Sequence, residues 1–194
     1  MRLQLKRFQG IYCLLFFIII FSCKRPVVPK PRSYFRIDFP NKEYQNFQSD
    51  CNYKFEIPSY GQIVHSNIST AEKCWYNLTF DSFNATIYLT YKPLRGNLSS
   101  YSEDVRKIAY KHIIKADDII ETPINIPENR VFGILYDIKG NTASSVNFFI
   151  TDSISGFLSG SLYFNVQPNK DSLAPAIDFF RQDIVHLIST FEWD

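Results

Sequence analysis

The sequence predicts an α+β fold in which a mainly antiparallel sheet packs against two amphipathic helices. Three observations predict it. Short runs rich in β-branched and aromatic residues recur along the chain, as in Ala85-Thr86-Ile87-Tyr88-Leu89-Thr90-Tyr91. Two longer segments, one after Ser100 and one after Asp171, carry apolar residues at helical spacing. The links between strand runs are short and turn-like, which favours hairpins over the long crossovers that parallel strands need. Composition agrees. With 18 Phe and 12 Tyr against 7 Gly, broad regular strands fit better than a loop-rich scaffold. At 194 residues, 45% apolar and 21% charged, the chain suits one globular domain and excludes a disordered chain or a rod.

The first elements concern export. Arg2, Lys6 and Arg7 form a basic start, and residues 11–21 are an apolar run of 11 residues. A helix that crosses a bilayer needs about 20, so the run reads as the core of a signal peptide. It ends at Ile20-Phe21-Ser22-Cys23. An aliphatic residue, then a small residue directly before Cys, is the order of a bacterial lipobox. Residues 1–22 are then cleaved, and the Cys23 thiol takes a diacylglycerol with palmitate-like chains. Two or three chains hold a protein on a membrane where one does not. Residues 23–33 follow as a tether, with Lys24, Arg25, Lys30 and Arg32 among Pro26, Pro29 and Pro31. As polyproline II it would span about 30 Å.

The charge divides between these parts. Residues 1–22 hold three of the 21 basic side chains and none of the 19 acidic ones. The tether holds four more basic residues, which leaves residues 34–194, the single α+β domain, with 14 basic and 19 acidic. Basic charge therefore lies beside the lipid, where each Lys or Arg contributes about 1 kcal/mol on an anionic surface. An acidic domain argues against nucleic acid as a partner.

Within the domain, residues 34–47 read as an extended entry segment broken at Pro40. Residues 53–57 alternate and stop at Pro58, as a strand does, and residues 67–73 read as a polar loop. Residues 74–80 and 85–91 form a hairpin turned by Asp81-Ser82-Phe83-Asn84, with Trp75 expected in the core. Ser100 and Glu103 have capping-box spacing. Val105, Ile108, Ala109, His112, Ile113 and Ala116 then continue a helix. Strands follow over residues 131–138, 146–151 and 157–166, turned at Gly140-Asn141 and Asp152-Ser153. The last helix is capped by Asp171 or Ser172, takes Pro175 in its first turn, and shows the stripe Ile177, Phe180, Ile184, Leu187, Ile188 and Phe191. Both helices are expected on one sheet face. This order resembles the Mog1/PsbP-like sandwich, a likeness of fold that says nothing about chemistry.

Cys13 leaves with the signal and Cys23 takes the lipid, so Cys51 and Cys74 remain. In an oxidising exported compartment two leftover thiols read as a disulfide, which would contribute about 3.4 kcal/mol by loop-closure entropy. His65, His112 and His186 are scattered without ligand spacing, so no metal is expected. A search for catalytic groups finds none. Gly156-Phe157-Leu158-Ser159-Gly160 misplaces the serine of a nucleophile elbow by one residue. Asp117 and Asp118 sit at a helix end, and His112 and His186 lie on or beside apolar stripes as core residues. The expectation is a non-enzyme without cofactors.

Two kinds of candidate site remain. Gly140, Asn141, Thr142, Ala143, Ser144 and Ser145 form a small polar loop, a candidate partner contact or an ordinary turn. Asp152-Ser153-Ile154 and Asp171-Ser172-Leu173 make Ser153 and Ser172 candidates for O-glycosylation, with helix capping the alternative for Ser172. The Asn-x-Ser/Thr sequons at Asn67, Asn77, Asn84 and Asn97 read as chance.

Several longer stretches share one resemblance: Lys30-Pro31-Arg32-Ser33-Tyr34-Phe35-Arg36-Ile37-Asp38-Phe39-Pro40, Cys74-Trp75-Tyr76-Asn77, Lys111-His112-Ile113-Ile114-Lys115-Ala116-Asp117, the loop from Gly140 to Ser145, and Gly160-Ser161-Leu162-Tyr163-Phe164. Together they resemble the gliding motility lipoprotein GldD family of Bacteroidetes over essentially the whole mature chain. The resemblance implies a membrane-held protein working with other gliding and type IX secretion proteins, and it carries over no catalytic residue. Lys24-Arg25 lacks the acidic run that sends some such lipoproteins to the cell surface, so the periplasmic face of the outer membrane is expected. The periplasmic face of the inner membrane is the alternative. A rival function is a periplasmic ligand-binding module with Tyr76, Tyr88, Tyr91 and Tyr163 lining a pocket.

Overall fold

Alternation along the strands sorts the apolar residues onto two faces, and different elements cover each face. The computed structural model describes residues 37–68 and 72–194. The predicted signal peptide (1–22), Cys23, the predicted tether and residues 34–36 lie outside the described residues, as does the middle of the predicted polar loop, 69–71. The elements are β1 (Tyr44–Gln48), β2 (Tyr53–Pro58), β3 (Gln62–His65), β4 (Trp75–Phe80), β5 (Ala85–Pro93), α1 (Leu98–Tyr110), β6 (Ala116–Ile126), β7 (Val131–Gly140), β8 (Ser144–Thr151), β9 (Gly156–Phe164), α2 (Lys170–Ser189) and β10 (Glu192–Trp193). Seven strands form one sheet in the order β3-β4-β5-β9-β8-β7-β6, and β1-β2-β10 form a second, smaller sheet. Each of the neighbouring pairs is antiparallel. The fold class is α+β, as the sequence predicts.

One face of the large sheet presents Tyr76, Leu78, Ile87, Leu89, Phe148 and Leu162. Against it pack Phe180, Ile184, Leu187 and Phe191 from α2 and its C-terminal end, and Tyr53, Phe55 and Ile57 from the small sheet. Rings dominate this core: Phe80 meets Phe180 at 4.5 Å between centroids, and Tyr53 meets Phe191 at 5.4 Å. Each such pair adds about 0.5–1.5 kcal/mol beyond the area it buries. The other face presents Tyr136, Ile138, Phe149 and Phe157 to Val105 and Ala109 of α1. The helices therefore cover opposite faces, not one face as the sequence suggested. The reason is visible in β8, which is buried at all of its 8 residues. A strand covered on both sides loses the polar half of its alternation. Gly160 belongs to this close packing, because a Cβ there would strike the Phe148 ring opposite.

Local departures have local causes. α1 begins at Leu98 with Asn97 before it, so Ser100 lies inside the first turn and makes no cap. Asn97 Oδ1 instead accepts from Arg95 N at 2.9 Å. The helix ends at Tyr110; His112 and Ile113 lie in turns, and Ala116 opens β6. Asp117 and Asp118 therefore stand at the start of an edge strand, not at a helix end. The 11-residue β6 carries Asp117, Asp118, Glu121 and Pro123, residues that edge strands use and that hide a strand pattern. Asn169, not Asp171 or Ser172, caps α2, accepting from Ser172 N at 3.2 Å. Pro175 lies in its second turn. Trp75 is half-buried, with Nε1 donating to Tyr91 O at 3.0 Å, so it is not part of the core proper.

Candidate functional site

The apolar stripe of α2 contains one carboxylate. Asp183 is 2% exposed and falls between Phe180 and Leu187 at helical spacing. An unpartnered charge there would cost several kcal/mol, and the fold supplies partners from the far end of the chain. Lys42 Nζ donates to Asp183 Oδ1 at 2.7 Å, and Tyr44 OH donates to the same oxygen at 3.0 Å. Tyr60 OH lies 2.8 and 2.7 Å from the two oxygens. Lys42 Nζ also donates to Phe179 O at 2.8 Å and to Tyr60 OH at 3.0 Å, and stands 3.2 Å over the Phe179 ring. Phe39 stacks on the same ring at 4.3 Å. The Tyr44 ring stacks at 3.5 Å on His186, whose Nε2 lies 2.6 Å from Glu56 Oε2.

An ammonium has three donors, and the three of Lys42 have three acceptors. Burial lowers the Lys42 pKa, while the hydrogen bond and charge of Asp183 raise it in opposition. Burial, then the Asp183 charge and hydrogen bond, push Tyr44 up to about 12, and Tyr60 is raised further by burial and the same carboxylate. The cluster clasps the chain's entry into the domain onto the middle of α2. Sequence reading missed it. The available signal was one Asp at core spacing in an otherwise apolar stripe.

The predicted contact loop turns mostly inward. Gly140 ends β7 at φ +121°, a conformation that favours glycine. Thr142, Ser144 and Ser145 are buried. Thr142 Oγ1 donates to Ser144 O at 2.9 Å, and Ser144 Oγ lies 2.7 Å from Asn147 Oδ1 and 3.0 Å from Leu162 O. Asn141 is exposed, and its Oδ1 accepts from Lys170 N at 2.8 Å, so it orders the start of α2. Only Asn141 and Ala143 of residues 141–145 face solvent.

Cys51 and Cys74 are joined, with Cα atoms 6.0 Å apart. Ser153 is exposed, at φ +66° in the turn from β8 to β9. Asp152 shapes that turn, accepting from the backbone of Ile154, Ser155 and Gly156 at 2.9, 2.8 and 2.9 Å. Burial alone would raise its pKa, but these bonds and the Ser155 hydroxyl carry it below the usual carboxylate value. Ser172 lies in the first turn of α2, its amide held by Asn169. The four tyrosines do not converge. Tyr76 and Tyr91 pack with the core under α2, whereas Tyr88 and Tyr163 meet edge to face at 5.6 Å on the opposite side of the sheet. A cleft of about 490 Å³ lies elsewhere, on the outer side of the small sheet, lined by polar residues such as Gln48, Lys54, Glu56 and Glu192. Among the described residues no cluster of three or more His, Cys, Asp or Glu side chains is placed to hold a metal ion. Among them, too, no helix is long and apolar enough to cross a membrane.

Comparison with known proteins adds three facts. The sequence model of one family, described as gliding motility lipoprotein GldD, matches residues 24–193. No curated protein matches the chain. Among solved structures, the solution structure of cyanobacterial PsbP (CyanoP) from Synechocystis sp. PCC 6803 is similar at 8% identity and a TM-score of 0.46, over 80% of this chain and 95% of that one.

Proposed function

This chain belongs to the gliding motility lipoprotein GldD family, a family of membrane-anchored lipoproteins, and from that premise we propose that it is a non-catalytic interaction subunit of the gliding and type IX secretion machinery. The observation that carries the reading is the family match, which runs from the residue after Cys23 almost to the C-terminus. The clasp around Asp183 supports it, because that polar cluster is satisfied by internal partners and fixes the segment around Lys42 to α2. A domain held this way can act by keeping partners near a bilayer, where tethering raises effective concentration. We place it on the periplasmic face of the outer membrane, with the inner membrane as the alternative. The test is a deletion strain. It should lose both colony spreading and secretion of type IX cargo, and a Cys23→Ala gene should restore neither. Intact motility and secretion in the deletion strain would sink the machinery role. Protease shaving of intact cells should leave the protein whole, and ready cleavage would mean surface exposure.

A further inference from the structure

The turn that follows α1 carries the most exposed large apolar side chain among the described residues. Ile114 is 92% exposed and its neighbour Ile113 is 59% exposed. They stand at the tip of a turn fixed by backbone hydrogen bonds from Ile113 N to Tyr110 O at 3.1 Å and from Lys115 N to His112 O at 2.9 Å. Lys107, Lys111 and Lys115 are all exposed around it. Three carboxylates that follow the turn are engaged locally. Asp117 pairs with Lys170 at 2.6 Å, Asp118 accepts from Ile119 N at 2.9 Å, and Glu121 accepts from Tyr110 OH at 2.9 Å.

We propose that the Ile113–Ile114 turn is a second membrane contact, seating two isoleucines among the headgroups of an anionic bilayer while Lys107, Lys111 and Lys115 meet its phosphates. Protruding aliphatic side chains ringed by ammonium groups match that interface. The rings of charge stay in the headgroup layer, the lysine stems lie along the apolar boundary, and the isoleucines enter it. The opposite case is on the same molecule. Ile154 is 71% exposed, yet it sits beside Asp152 with no basic residue in its turn.

The lipid anchor puts such a surface within reach. Asp117 is held at Lys170, where α2 begins, and Lys42 bonds to Phe179 and Asp183 farther along the same helix. At 1.5 Å per residue those points lie roughly 14 and 20 Å from the helix start. The chain from Cys23 to Lys42 can extend to roughly 60 Å. The bilayer that holds the lipid can therefore meet the tip. The inference rests on the family's membrane anchor and not on the machinery role, so a deletion phenotype leaves it untouched.

The test uses the mature lipidated protein. Its Cys23 is blocked by lipid, and Cys51 and Cys74 are bonded to each other, so an introduced thiol is unique. Ile114→Cys and Ile154→Cys are each labelled with an environment-sensitive fluorophore and reconstituted into phosphatidylethanolamine vesicles with and without phosphatidylglycerol. At position 114 the emission should shift to the blue on the anionic vesicles and be quenched by a nitroxide placed shallow in the lipid. Position 154 should report water on both. Lys111→Gln and Lys115→Gln should each lower the docked-to-free ratio about fivefold. A water-like spectrum at 114 on anionic vesicles, or an equal shift at 154, overturns the proposal. So does a shift at 114 that appears only when membrane proteins are added, which would make the tip a protein-docking surface.

Discussion

Lys42 and Asp183 stand 141 residues apart in sequence and 2.7 Å apart in space, Nζ to Oδ1. The pair ties the segment that follows the tether to the one charged position in the apolar stripe of α2. Asp183→Ala would leave a partly buried ammonium and two phenols without their acceptor. Breaking a buried pair from one side costs about 3–5 kcal/mol, and the Lys42 side chain keeps 25% of its exposure, which favours the lower end. A loss near 3 kcal/mol lowers the melting temperature of a domain this size by roughly 6–12 °C. The double variant Lys42→Met/Asp183→Leu should recover most of that loss. Thermal melts of the three proteins check the pair, and a double variant as unstable as the single one would mean that the charges are not coupled.

The same clasp predicts an alkaline limit. The Tyr44 pKa is raised from 10.0 to about 12 by burial, the Asp183 charge and its hydrogen bond. A raised acid pKa favours the neutral phenol in the folded state. Its stabilisation is complete below pH 10, the ordinary value, and is lost as pH rises through about 12. Denaturant melts between those pH values should show falling stability in the parent and a shallower fall in Tyr44→Phe. An identical slope in the two proteins would remove Tyr44 as a source.

How far these features could be read from sequence depended on where each residue's partners lie. The hairpin of β4 and β5 was legible because its alternation and turn are local. β6 was not, because an edge strand tolerates the acids and Pro123 that spoil the pattern. The placement of the helices on opposite faces was obscured by β8, whose two buried faces erase its alternation. Asp183 was hidden for a different reason. Its helix stripe announces apolar contacts, and the residues that satisfy it, Lys42, Tyr44 and Tyr60, are 123 to 141 positions away. Disulfide pairing was the reverse case, since reading Cys13 as signal and Cys23 as the lipid site left only one pair.

That pair gives the third expectation. The Cys51–Cys74 bond closes a loop with a sequence separation of 23, worth about 3.4 kcal/mol in the chain-entropy account. Cys74 is buried beneath Tyr53, whose OH donates to Cys74 O at 3.3 Å, so replacement also disturbs packing. Cys51→Ser/Cys74→Ser should melt several degrees lower than the parent. Thiol labelling of the unreduced native protein should be negative, and stoichiometric labelling of both residues would refute the bridge in the cell.

The segment from Gly140 to Ser145 needs a sharper test than removal of its polar groups. Ser144 is fully buried, and its hydroxyl bridges Leu162 O and Asn147 Oδ1. Ser144→Ala therefore leaves interior groups short of a partner and should lower stability by about 1–3 kcal/mol, whatever the loop contacts outside. Asn141→Ala removes one bond to the first amide of α2 and should cost about 1 kcal/mol. Neither isolates a surface role. Ala143 is exposed, so Ala143→Arg adds bulk and charge to the outside alone. If the loop meets a partner, crosslinked recovery of that partner from membranes should fall in Ala143→Arg while the melting temperature stays at the parent value. Full recovery with an unchanged melt would confine this segment to its interior work of starting α2 and closing β8 against β9.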